Sequence, residues 1–115
     1  MTRHPFRIGA AVVIVMLAVV ARATTEAQVA TDASVLLADY NALQVRVDAC
    51  PQGHCGDAAN IRLTYAALEV RRIQLHADRA ALPSSTGYQQ IDAAIASIDQ
   101  VAAATGGTIG GWEQE

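Results

Sequence analysis

From Asp57 to Leu82 the chain is apolar on two opposite sides. On a helical wheel Ile61, Leu68, Leu75 and Leu82 recur every seven residues with Tyr65 beside them, while Leu63, Ala66, Val70, Ile73 and Ala77 fall on the far side. A helix with two apolar faces needs two partners, so this one is predicted at the centre of a small bundle. Upstream, Val29, Ala33, Leu36, Tyr40, Leu43, Val47 and Cys50 recur at alternating spacings of four and three, a heptad stripe of about three repeats. Thr25-Glu26-Ala27-Gln28 has the spacing of a capping box and predicts where that helix starts. Pro51 and the glycines of Cys50-Pro51-Gln52-Gly53-His54-Cys55-Gly56 end it in a turn, and Asp57 is expected to cap the next helix.

Folding the two helices back on each other sets Val47 against Ile61, Leu43 against Tyr65, Tyr40 against Leu68 and Ala33 against Leu75. Beyond the turn at Pro83-Ser84-Ser85, Thr86-Gly87-Tyr88-Gln89 offers a second capping box. Tyr88, Ile91, Ile95, Ile98 and Ala102 then form a third stripe, predicting a helix from Thr86 to Thr105. Laid antiparallel on the second helix, it brings Ile91 to Ala77, Ile95 to Ile73, Ile98 to Val70 and Ala102 to Ala66, which would occupy the second apolar face. The remainder, residues 106–115, holds four glycines and Trp112 and reads as a flexible tail. The predicted fold is all-α: an antiparallel helical hairpin tipped by a disulfide, plus a third helix, as a bundle or an open layer. Because the two faces of the second helix are nearly opposite, an open layer or self-association is implied, since a closed bundle would not use both.

Residues 1–23 add an address. Arg3, His4 and Arg7 precede the uninterrupted apolar run Ile8–Ala21, and Ala21-Arg22-Ala23 has the small-x-small form of a signal-peptidase site, so cleavage after Ala23 is expected. About fourteen apolar residues make only some 21 Å of helix, short of the roughly 30 Å membrane core, although Arg22 leaves a retained anchor as the alternative. The helical domain is then 24–105. Of 115 residues 52% are hydrophobic and only 4% aromatic, so the core is one modest, alanine-rich unit. Every basic residue is arginine, and three of the eight lie in the leader; five arginines against eleven acids remain, a balance that disfavours nucleic-acid binding. The lysine-free, alanine- and arginine-rich composition points to a GC-rich bacterial source.

Candidate chemistry is sparse. Cys50 and Cys55, one closing the first helix and one leading into the second, are placed to form a disulfide across the hairpin tip of an exported chain. The competing reading is a metal site using Cys50, His54 and Cys55, which offers three ligands without paired CxxC or HxxxH spacing. Arg62, Glu69, Arg72, His76 and Arg79 line one edge of the second helix. They form either a docking stripe for an acidic partner or a solvated edge whose arginine stems cover the seam. Asp92 and Asp99, about 10 Å apart on the third helix, read as solvated charges. Trp112 is either a contact anchor for a partner or membrane interface, or docks on its own bundle. No nucleophile-base arrangement or phosphate-binding loop stands out. The expectation is a non-catalytic interaction or structural module of the bacterial cell envelope, periplasmic or secreted. It needs no cofactor, and its partner is an unidentified protein or a second copy. Contact with the membrane would come only through an uncleaved leader.

Overall fold

The computed structural model describes residues 25–83 and 88–112. The predicted leader and its cleavage site, the predicted capping residues Thr86 and Gly87, and residues 113–115 lie outside them. Among the described residues three helices follow in order: α1 (Glu26–Asp48), α2 (Ala58–Ala80) and α3 (Gln89–Trp112), with a short 3-10 turn at Pro51–Gly53 between the first two. The all-α fold, the helical hairpin and the disulfide at its tip are as the spacing predicts.

The first helix starts where the capping pattern places it. Thr25 is extended, and its hydroxyl accepts a hydrogen bond from the Gln28 N–H at 3.2 Å. From there Val29, Ala33, Leu36, Tyr40, Leu43 and Val47 are all buried, and Cys50 continues the stripe. The heptad seam is therefore one continuous buried face, wedged between the other two helices. α1 packs extensively on both α2 and α3, whereas α2 and α3 touch each other more sparingly. This corrects the expectation that the second helix is central. The narrow seam of α1 supplies the shared surface, because at the middle of a bundle one stripe can be gripped from both flanks.

The predicted register of the hairpin holds to within a helical turn. Tyr40 packs edge-on against Tyr65 with ring centroids 6.5 Å apart, Arg46 reaches Asp57 and Asn60, and Arg71 reaches Asp39. Asp57 does not cap α2 with its side chain, however. Its carboxylate takes two hydrogen bonds from Arg46, at 3.0 and 2.8 Å, and so ties the ends of α1 and α2 together instead.

Two further corrections concern α3. It does not stop at Thr105: the helix runs on through Gly106, Gly107, Gly110 and Gly111 to Trp112, with Thr105, Ile109 and Trp112 buried. Helix interiors disfavour each glycine by about 1 kcal/mol relative to alanine, and burial of the Ile98, Ala102, Thr105, Ile109 and Trp112 stripe overrides that preference. The second correction is rotational. α3 lies antiparallel to α2 at the predicted height, since Arg79 meets Asp92, His76 meets Asp99 and Tyr65 meets Ala102. Yet it lies on the polar edge of α2 and leaves the Leu63, Ala66, Val70 and Ile73 face uncovered: Leu63 is 70% exposed, Ile73 55% and Val70 46%. The open layer is not formed; one core is made by one stripe from each helix.

Candidate functional site

The junction of α2 and α3 gathers most of the charged residues singled out in the sequence. Glu69 is held by Arg72 through two hydrogen bonds, each 2.9 Å, and accepts a third from the Tyr40 hydroxyl of α1 at 2.5 Å. Arg72 also donates to Asp99 at 3.0 Å, and His76 Nε2 lies 2.9 and 3.1 Å from the two oxygens of the same carboxylate. With Asp99 ionised it can only accept, so Nε2 carries the proton in this contact. One turn further along, Arg79 holds Asp92 at 2.6 and 3.1 Å and stacks over the Tyr88 ring at 5.1 Å. Asp92 and Asp99 are thus the anchors of α3 on α2 rather than free solvated charges.

The electrostatics follow from this pairing. The Arg72 guanidinium beside Glu69 holds its carboxyl below the usual range, against an opposing contribution from burial and with help from the Tyr40 hydroxyl. Burial pushes Asp99 up, but hydrogen bonds from His76 and Arg72 outweigh it and the net shift is downward. Arg79 lowers Asp92 in the same way. Burial, then the hydrogen bond to Glu69 and its charge, push the Tyr40 hydroxyl well above its ordinary 10.0. The bridges give Arg72 an even firmer hold on its proton. The lowered carboxyls and the raised Arg72 favour the charged, paired state that ties the three helices together, and the raised Tyr40 keeps its hydroxyl neutral there.

At the hairpin tip Cys50 and Cys55 form a disulfide with their Cα atoms 5.3 Å apart. Both sulfurs are therefore occupied, and the Cys50/His54/Cys55 metal set loses its two thiolates while the bridge stands. Among the described residues no group of three or more His, Cys, Asp or Glu is placed to hold a metal ion. His54 itself is exposed. Within the loop Gln52 and Gly53 both adopt positive φ, 55° and 74°, which turns the backbone of Gly53 onto Trp112. A Cβ at Gly53 would sit 3.0 Å from the indole. Trp112 is 7% exposed, with the Arg62 guanidinium over its ring at 5.5 Å. A shallow open groove of about 470 Å³ runs here between Val47, Gln52, Gly107 and Trp112. The tryptophan is docked on its own bundle.

Arg62, Arg72, His76, Arg79 and Trp112, the sequence candidates for partner contact, thus all make intramolecular contacts along one side of α2. The Leu63/Ala66/Val70/Ile73 face, which the sequence assigns to α3 or to another chain, is exposed among the described residues. The Arg71–Asp39 pair at 2.7 Å and the Arg46–Asp57–Asn60 cluster went unread, although the hairpin register already set those residues opposite one another. Among the described residues no helix is long and apolar enough to cross a membrane. Comparison of the chain with protein-family models, with curated proteins and with solved structures returns no match in any of the three.

Proposed function

We propose that this chain is an exported, non-catalytic interaction module of the bacterial cell envelope whose contact surface is the outer face of α2. The observation that carries the reading is the exposure of Leu63, Val70 and Ile73 at helical spacing, together with Ala66. Large apolar side chains scattered singly on a surface need no explanation, but a continuous seam of them is a mark of contact. Beside it, the charged residues that could have served catalysis or polar docking are engaged within the fold. Export is supported by the disulfide, which persists in oxidising compartments, and by the basic start and apolar run of the first 23 residues.

The test is site-specific photocrosslinking in intact producing cells, with the reactive group at Val70 or Ile73 and, as control, at Thr31, which is exposed on α1 away from the seam. Adducts from the two seam positions and not from the control are expected. Equal labelling at all three positions, or none at the seam, removes the reading.

A further inference from the structure

The outer face of α2 reads nearly the same in both directions, and we propose that its occupant is a second copy of this chain, paired antiparallel through α2. The proposal rests on the reading of this face as a contact surface and names its partner. The apolar positions are Ala59, Leu63, Ala66, Val70 and Ile73, all exposed, and the half-buried Ala77, in alternating steps of four and three. A two-fold axis at the height of Leu68, on the opposite side of the helix from that buried residue, sets Leu63 opposite Ile73, Ala66 opposite Val70 and Ala59 opposite Ala77. Bulky meets bulky, small meets medium and small meets small, which are the layers an antiparallel helix pair fills without gaps. A parallel pair would instead stack Ala66 on Ala66 beside Val70 on Val70, leaving each alanine layer under-filled.

The charges around the seam are compatible with a copy and give no foothold to a strongly charged partner. Arg71 turns away to Asp39 on α1, and Arg72 and Arg79 turn away to Asp99 and Asp92 on α3. One flank of the seam carries the exposed Asn60 and Ala67, with Gln74 buried behind them; Asn60 accepts a hydrogen bond from Arg46, and Gln74 donates one to Asp78 at 2.6 Å. On the other flank the groups nearest the axis are the two Glu69 carboxylates, each already clamped by its own Arg72. Arg62 and His76 sit further out on the exposed rim, where repulsion is screened. A seam one helix wide lies at the low end of specific interfaces, near or below about 1,200 Å², so the pair should be reversible, with a Kd on the order of tens of micromolar.

Sedimentation equilibrium of the purified chain, from about 1 to about 500 µM and with the intact mass recorded, should show the average mass rising toward that of two chains. Val70→Arg buries a charge in the seam and should weaken pairing at least about thirty-fold while leaving circular dichroism and Tm close to the parent, since Val70 is 46% exposed in the single chain. With Cys50–Cys55 kept oxidised, Ala66→Cys, in the seam beside the axis, should be joined between copies by a short bifunctional thiol reagent, whereas Ala59→Cys, far from the axis, should not. A single-chain mass throughout, pairing untouched by Val70→Arg, or equal crosslinking from Ala59→Cys overturns the proposal. So does a cellular photoadduct at Val70 to another protein, or to residues 8–21 of the same chain. An adduct to another protein leaves the contact-surface reading standing, and absence of any adduct removes both.

Discussion

Gly106 and Gly107 are adjacent in α3, but a methyl group would meet different surroundings at each. At Gly106 a Cβ would fall inside contact distance of the Tyr65 hydroxyl and 3.0 Å from the ring carbon that bears it, where the hydroxyl bonds the Ala102 carbonyl at 3.3 Å. At Gly107 and Gly110 it would meet nothing within 4 Å. Thermal melts should separate the cases: Gly107→Ala and Gly110→Ala each stabilise by up to about 1 kcal/mol through helix propensity, and Gly106→Ala destabilises by roughly 1–3 kcal/mol through overpacking. The same experiment asks whether the glycine-rich segment is helical in solution, because alanine in an unstructured tail would change neither Tm. Tyr40 gives a second single-residue case. Its ring is fully buried and its hydroxyl is the one link from α1 into the α2–α3 charge network among the described contacts. Tyr40→Phe keeps the ring and should cost about 1–2 kcal/mol in denaturant unfolding, since Glu69 retains Arg72.

At the scale of elements, the disulfide loop and the end of α3 form one unit. The bridge closes a short loop whose left-handed Gln52–Gly53 pair supports the indole of Trp112. Reduction should lower stability by roughly 2 kcal/mol on the loop-entropy estimate, moving Tm down by something like 10 °C while far-UV helicity at room temperature is kept. Trp112 fluorescence followed in parallel should report exposure at the lower Tm; an unchanged Tm would mean the loop contributes nothing to docking the helix. Much of this architecture was legible in the sequence. The seam of α1, its start at Thr25, the hairpin register and the bridge follow from spacing alone. The end of α3 was missed although Ile98, Ala102, Thr105, Ile109 and Trp112 carry the three-and-four pattern forward, because four glycines argue against helix locally while the burial that overrules them is tertiary. The side of α2 that receives α3 was missed for a related reason. Apolar residues were matched with apolar ones, yet Arg72 and Arg79 are spaced seven apart just as Asp92 and Asp99 are, and those two sets pair. Ranking a charged seam above an apolar one requires knowing that α1 already supplies the core.

For the whole molecule, the charge network and the buried tyrosines make stability depend on pH at both ends of the range. Glu69, Asp92 and Asp99 have folded-state pKa values below their ordinary 4.5, 3.8 and 3.8. A group depressed in this way contributes stability that is fully present above its unfolded value and is lost as pH falls through the folded one, so the acid limb of stability should begin near pH 4 and steepen below it. Tyr40 and Tyr65 are raised above 10.0, which is the opposite case. The neutral hydroxyl is the form the fold binds, so its contribution is intact below pH 10 and declines as pH climbs through the raised value. Arg72 keeps its charge across both limbs. Unfolding free energy from denaturant titrations should therefore be flat between about pH 5 and pH 9 with respect to these groups and fall on either side. Tyr40→Phe discriminates the causes: it should lower the plateau and shrink the alkaline fall, leaving Tyr65 to account for what remains, while the acid limb persists because Arg72 still holds Glu69 and Asp99. An alkaline limb as steep in the variant as in the parent would place the titrating group elsewhere and detach α1 from the network that joins α2 to α3.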